Sequence, residues 1–127
     1  MLELIDTPRA PAANGHYSQA VVAHGFVFVA AQLPIIPGTD GNLLPAGIEA
    51  QTQQALANVA AILEAAGSGL DQLVSVSVFV TDISHWPAVD RVYGARLKQH
   101  RPARTVVVSP QLHLGALVAL QAVAVTA

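Results

Sequence analysis

The stretch Ala116-Leu-Val-Ala-Leu-Gln-Ala-Val-Ala-Val125 is almost entirely apolar. A short aliphatic run of this kind predicts a strand, and a strand without polar alternation is covered on both faces of its sheet. Its only strongly polar side chain is that of Gln121. A buried amide without hydrogen-bond partners costs about 1–3 kcal/mol. Gln121 therefore either has a partner within the sheet or lines a pocket that holds a water or a ligand.

Four further strands are predicted before, between and after two helical segments. The segment Leu73–Val80 alternates apolar and polar residues, which predicts a strand with one polar-tolerant face. The segment Thr105–Val108 also predicts a strand. The segment Val21–Leu33 favours two strands joined by a tight turn, in which Gly25 can take a positive φ.

Two amphipathic helices are predicted between these strands. From Ile48 to Ala66, apolar residues recur at spacings of three and four, and Gly67 follows at the position of a left-handed C-terminal cap. The residues predicted on the opposite, outward face are Glu49, Gln53, Asn58 and Glu64.

The second helix is predicted to begin after Ser84 as N-cap, with Pro87 near its start, and to end near His100. The residues predicted to point inward are Val89, Val92, Tyr93 and Leu97. The order of elements indicates an α+β sandwich in which two helices cover one mixed sheet of about six strands. At 127 residues the chain is a single domain, 1–127.

The amino-acid composition limits the classes of protein to which the chain can belong. Charged residues make up 11% of the chain and hydrophobic residues 53%, with a mean hydropathy of +0.49. So few charges suit either a membrane protein or an oligomer, and no apolar run approaches the roughly 20 residues of a spanning helix. We therefore expect a soluble, cytoplasmic homo-oligomer. The net charge of -2 disfavours a nucleic-acid partner.

Several kinds of catalytic centre find no support in the sequence. The absence of cysteine excludes thiolate metal sites, disulfides and a cysteine nucleophile. The five histidines share no metal-ligand spacing, and no phosphate-binding glycine pattern occurs. We therefore expect neither a metal nor a nucleotide cofactor.

Arg104 stands out in Arg101-Pro-Ala-Arg104-Thr-Val-Val-Val108, at the beginning of a predicted strand. Its apolar neighbours shield it from water in part, and a planar guanidinium suits bidentate binding of a carboxylate. An ion pair within the chain or between subunits is the alternative role for an arginine at this position.

Several segments in register carry a resemblance to a known family. These segments are Gly15–Ala20, Phe26–Pro34, Ile48–Leu56, Val78–Asp82, Val89–Tyr93 and, above all, Arg101–Arg104. Together they span almost the whole chain, which resembles the RidA (YjgF, endoribonuclease L-PSP) family. The resemblance implies a chorismate-mutase-like α+β fold assembled as a homotrimer, with clefts between subunits.

The resemblance also implies an activity. Active members hydrolyse reactive enamines and imines, such as 2-aminoacrylate or 2-iminobutanoate, to 2-oxo acids and ammonia without a metal or organic cofactor. By position, Arg104 would bind the substrate carboxylate and Tyr17 would form part of the pocket wall. The backbones of Ala31 and Val107 would hold the substrate nitrogen or the water.

The chain departs from the family pattern at several of these positions. Gln121 stands where the family usually has a glutamate, and an amide cannot accept a proton from water. Ala30-Ala31 replaces a common Ser-Gly pair, His16 replaces a common proline, and His113 lies near the expected cleft mouth. A non-catalytic trimer that binds small carboxylates or regulates is thus an alternative to the deaminase. Nuclease activity has little support in an acidic chain without a basic stripe.

Overall fold

The sheet of the protein has six strands and is mixed, as predicted. In the computed structural model, which describes residues 1–127, the strands are β1 (Glu3–Ile5), β2 (Ala20–Ala23), β3 (Phe26–Gln32), β4 (Leu73–Val80), β5 (Ala103–Val108) and β6 (Val118–Val125). Their spatial order is β1-β2-β3-β6-β4-β5. β4 and β5 are parallel and all other neighbours are antiparallel. The aliphatic stretch thus forms an interior strand, β6, paired on both edges.

The hairpin between β2 and β3 confirms the predicted tight turn. His24 and Gly25 both have positive φ, 51° and 80°, as a two-residue turn of type I′ requires. The short edge strand β1 was not predicted. Three residues are too few to show a period of two, and pairing with β2 stabilises the strand.

Both helices, α1 (Ile48–Ala65) and α2 (Trp86–Leu97), cover the same face of the sheet. The residues of the shared core include Leu56, Val59, Ile62, Leu63, Val78, Val89, Val118 and Leu120. α1 ends as predicted, with Gly67 at a φ of 78°. Fully burying aliphatic side chains of this size contributes about 1.5–3 kcal/mol each.

One residue predicted on the outer face of α1 is in fact buried. Asn58 is 1% exposed, and its Nδ2 donates to the backbone carbonyls of Leu33 and Ile35, at 3.0 and 2.9 Å. According to the helical period, Asn58 lies at the border of the apolar face of α1. The long loop before α1 folds over that border and supplies the two acceptors.

The ends of α2 also differ from the prediction. Asp82 caps the turn that precedes the helix, because its Oδ1 accepts the backbone N–H of Ser84 at 2.8 Å, and this hydrogen bond lowers the pKa of the Asp82 carboxyl. Ser84 is therefore not the N-cap. The helix ends at Leu97 rather than near His100, since Lys98 adopts a positive φ of 59°.

The other face of the sheet, which we call the open face, is not covered by any helix. It carries the exposed or half-exposed apolar side chains Leu4, Phe26, Phe28, Val107, Val123 and Val125. β6 was predicted to be covered on both faces. Within one chain this prediction is correct only for the face that the two helices cover. Neither helix is long and apolar enough to cross a membrane.

Candidate functional site

Arg104 lies on the helix side of the sheet. On β5 it is in register with Val76 of β4, whose side chain belongs to the buried core. Its guanidinium carbon lies 4.6 Å from the centroid of the Trp86 ring and 5.0 Å from that of Tyr93, both on α2. Two cation–π contacts of this length orient the guanidinium without consuming its N–H groups.

Asp90, on the same helix, completes the surroundings of Arg104. Nη1 of Arg104 donates to Oδ1 of Asp90 at 2.9 Å, and the two side chains are 30% and 53% exposed. The ion pair considered as an alternative role for Arg104 is therefore present within the chain. The remaining guanidinium N–H groups make no hydrogen bond within the chain, so the edge formed by Nε and Nη2 is free for a carboxylate.

Trp86, Asp90 and Tyr93 were not recognised from the sequence as companions of Arg104. They occur at spacings of four and three along α2, so they lie along one side of the helix. Tyr93 was predicted as an ordinary core residue. Its hydroxyl is buried without a hydrogen-bond partner in the chain. Burial raises the pKa of this phenol, and the charge of Arg104 opposes the shift, so the hydroxyl stays neutral at physiological pH.

Gln121 lies on the open face, opposite to Arg104. It is in register with Ser77 of β4, which is in turn in register with Thr105 of β5. The amide Nε2 of Gln121 donates only to the carbonyl of Ala122, at a long 3.4 Å. The three polar side chains thus form a row across neighbouring strands, and the amide of Gln121 has hydrogen-bonding capacity that the sheet does not use.

Ala31 lies beside Gln121 because β3 is bulged at this point. Val29 is in register with Ala122 and Gln32 with Leu120, so Ala30 and Ala31 together oppose Gln121. A bulge leaves one extra residue outside the ladder. The N–H of Ala30 donates to the Gln19 carbonyl and its carbonyl accepts from Nε2 of Gln32, so Ala31 is the residue whose backbone the bulge sets beside Gln121.

Tyr17 lies close to the same bulge. The N–H of Ala30 donates to the carbonyl of Gln19, two residues beyond Tyr17. Gln19 is buried and its side chain binds backbone atoms of Thr7 and Pro11, which anchors the segment. The side chain of Tyr17 is 55% exposed. Ala31 and Gln121 are therefore brought to one region of the open face, and Tyr17 lies in the loop segment that Gln19 anchors to the bulge.

The remaining predicted positions lie apart from one another. Val107 is on the open face of β5, in register with Phe79, and is 39% exposed. His16 is exposed in a loop, and His113 is exposed at the start of a short 3₁₀ helix. No group of three or more histidine, aspartate or glutamate side chains could hold a metal ion. Within one chain, Arg104 and the group around Gln121 thus lie on opposite faces of the sheet.

A model of the family described as Endoribonuclease L-PSP matches residues 7–126. The chain belongs to this family. Its resemblance to RidA proteins is confirmed by a crystal structure of RidA from an Antarctic Psychrobacter, which is 36% identical, with a TM-score of 0.91 and coverage of 97% of this chain and 98% of that one.

Two other members of the L-PSP family bear on the chemistry. A goat protein named 2-iminobutanoate/2-iminopropanoate deaminase is 37% identical over 96% of this chain and 88% of its own length. The Escherichia coli protein TdcF, solved with bound serine, is 31% identical, with a TM-score of 0.92 and coverage of 98% of this chain and 99% of that one. The family thus includes a member named for imine deamination and one that binds a small amino acid.

Proposed function

We propose that the protein hydrolyses reactive 2-imino acids and their enamine tautomers to 2-oxo acids and ammonia. The observation that carries this proposal is Arg104, whose guanidinium is held between two aromatic rings with one edge free for a carboxylate. The relatives named 2-iminobutanoate/2-iminopropanoate deaminase support the same reaction.

The reaction needs little from the protein beyond positioning. Protonation of an enamine at its terminal carbon gives the imine, and a protonated imine is already electrophilic at C2. Water adds to C2 and loses a proton, and the resulting carbinolamine releases ammonia as its C–N bond breaks and the carbonyl forms. Bidentate binding of the substrate carboxylate by Arg104 orients C2 toward the water, and this orientation replaces a bimolecular encounter.

Gln121 positions the water in this scheme. Its amide accepts and donates hydrogen bonds but takes no proton at physiological pH, so the proton lost on water addition goes to solvent or to the departing amine. We therefore expect a slower reaction than a carboxylate at the same position would allow.

The active cleft lies between copies of the chain. Since Arg104 lies on one face of the sheet and Ala31 and Gln121 lie on the other, a substrate reaches both when two copies meet. The exposed phenylalanines Phe26 and Phe28 on the open face favour such an association. A homotrimer closes this head-to-tail arrangement with identical clefts.

The first test is a coupled assay in which a serine or threonine dehydratase generates the imine and release of the 2-oxo acid is followed. We expect the protein to accelerate release, and Arg104→Ala to abolish that acceleration without dissociating the oligomer. Arg91→Ala is the matched control, because Arg91 is also on the surface of the helix layer and pairs with an exposed carboxylate, Glu49. Equal activity of the Arg104 variant would exclude Arg104 as the carboxylate-binding residue.

A mixing experiment tests the cleft between copies. Arg104→Ala removes one half of the site, and Ala31→Phe blocks the other half at the bulge. If the two halves come from different chains, co-assembly of the two inactive variants restores about a quarter of the sites, because each cleft then samples both chains at random. A cleft built by one chain would give no recovery.

A second candidate function is binding of small carboxylates without turnover. Gln121 in place of a carboxylate and the engagement of Arg104 by Asp90 favour it. Gln121→Glu discriminates the two functions. A rise of about 100-fold or more in imine hydrolysis, the range of general-base assistance, would indicate an enzyme that lacks its base. Absence of turnover in both proteins, with tight binding of 2-oxo acids by both, would favour the binding function.

A further inference from the structure

A second feature of the Arg104 region is a pocket of about 510 Å³ between the C-terminal half of α2 and the beginning of β5. Its polar lining consists of Asp90, Tyr93, Lys98, His100, Arg101 and Arg104. Sites for small metabolites occupy about 300–1,000 Å³, so the pocket is large enough for one. The mechanism proposed above uses only its Arg104 end.

The pocket is electropositive. It is lined by Lys98, Arg101 and Arg104, against the single carboxylate of Asp90, which already pairs with Arg104. Neither Lys98 nor Arg101 forms an ion pair within the chain. Tyr93, a residue only 5% exposed, forms part of the wall of the pocket. The lining therefore offers hydrogen-bond donors to an anion.

The loop that carries these cations is held in a costly conformation. Lys98 has φ 59° and ψ -116°, which is the conformation of the first central residue of a type II′ turn and strongly favours glycine. The loop is fixed on both sides, since the Lys98 N–H donates to the Gly94 carbonyl and Nε2 of His100 bonds the Leu73 carbonyl, each at 2.8 Å. Lys98 thus stands at a position where glycine would be less strained, and it lines the pocket.

We propose that this pocket binds a second anionic group on the substrate, so that the protein acts on 2-imino acids derived from dicarboxylic amino acids. This inference rests on the proposed function, because it places the 2-carboxylate of the substrate on Arg104. The side-chain carboxylate then lies toward Lys98 and Arg101, within the same pocket. A monocarboxylic imino acid would leave these two cations unused.

Direct binding of stable 2-oxo acids tests the inference independently of turnover. By calorimetry on the assembled protein, we expect 2-oxoglutarate to bind about 10-fold more tightly than 2-oxobutanoate, as two additional exposed charge contacts allow. In Lys98→Gly/Arg101→Gln the ratio should fall to about one. Glycine suits the backbone of residue 98, so this variant should fold at least as stably as the wild type.

The matched control is Arg96→Gln, which removes an exposed cation of α2 that does not line the pocket. An equal loss of preference in this control would show that only net charge matters, and would overturn the inference. Equal binding of the two oxo acids by the wild type would also overturn it. Inorganic phosphate that binds together with 2-oxobutanoate would show a separate anion site rather than a substrate subsite.

Arg104→Ala separates the two proposals. If this variant loses affinity for both oxo acids while the Lys98/Arg101 variant keeps the wild-type preference, only the second subsite is wrong. If Arg104→Ala binds 2-oxobutanoate as the wild type does, the carboxylate site of the proposed function is wrong. The second subsite, which depends on it, then falls as well.

Discussion

The two faces of the sheet differ in how their apolar residues are covered. On the helix side, Val78, Val118 and Leu120 are essentially inaccessible to solvent beneath α1 and α2. On the open face, Phe26 and Phe28 remain 40% and 46% exposed, with their ring centroids 6.2 Å apart. The helix side is therefore packed within one chain, whereas the open face has the character of an interface.

The polar groups follow the same division. Arg104 is held on the helix side by residues of α2 from its own chain, so its orientation needs no partner. The row formed by Gln121, Ser77 and Thr105 lies on the open face, where the amide of Gln121 has only a long bond to the backbone. The comparison teaches that the surroundings of Arg104 are complete within a single chain, whereas the polar row on the open face keeps hydrogen-bonding capacity that the chain itself does not use.

We expect the largest loss of stability from a substitution on the helix side of the sheet. A substitution on the open face serves as the comparison. Leu120→Ala creates a cavity beneath the helices and should lower the free energy of unfolding by about 2–5 kcal/mol, measured by denaturant titration. Phe28→Asp should leave the fold intact and dissociate the proposed homotrimer, measured by analytical ultracentrifugation against the wild type.

Phe26→Asp provides a second variant on the same face for this comparison. If both aspartate variants kept the wild-type molecular mass, the open face would not be the interface. If Leu120→Ala cost less than about 1 kcal/mol, the helix side would not be packed as described.

A smaller effect is expected where α1 holds the loop that precedes it. Asn58→Ala leaves the carbonyls of Leu33 and Ile35 without their donor, and one unsatisfied buried group costs about 1–3 kcal/mol. We expect a loss in that range by denaturant titration and faster hydrogen exchange in residues 33–47. Gln53→Ala, on the exposed face of the same helix, is the control and should change stability by less than about 0.5 kcal/mol.

The smallest effect is expected at Tyr93. Its buried hydroxyl has no partner in the chain, so Tyr93→Phe should leave stability unchanged or raise it by up to about 1 kcal/mol at neutral pH. Because the pKa of the folded phenol is raised, its contribution is constant below the unfolded pKa and is lost as the pH rises through the folded pKa. The wild type should therefore lose stability above about pH 10 relative to Tyr93→Phe.

Thermal unfolding of both proteins between neutral and alkaline pH measures this difference. A variant destabilised by more than about 1 kcal/mol at neutral pH would show that the hydroxyl has a structural partner.

The architecture could be predicted from the sequence because it follows from the spacing of apolar residues within each segment. The alternation in Leu73–Val80, the spacing of three and four in α1, and the aliphatic run of β6 each specify an element without reference to the rest of the chain. The incorrect predictions concern residues whose structure does not follow from the spacing of apolar residues in their own segment. β1 exists through its pairing with β2, Asn58 is buried by a loop, and α2 ends at the strained Lys98.

The sequence by itself determined the order and type of the elements and the packing of two helices on one sheet. It also identified Arg104 as the side chain best suited to bind a carboxylate. Only the tertiary structure decided that Arg104 and Gln121 lie on opposite faces, and that Trp86, Asp90 and Tyr93 surround the guanidinium. The physical reason is that periodicity reports which side of an element is apolar. Strand register and helix placement, which bring distant residues together, depend on the packing of the whole chain.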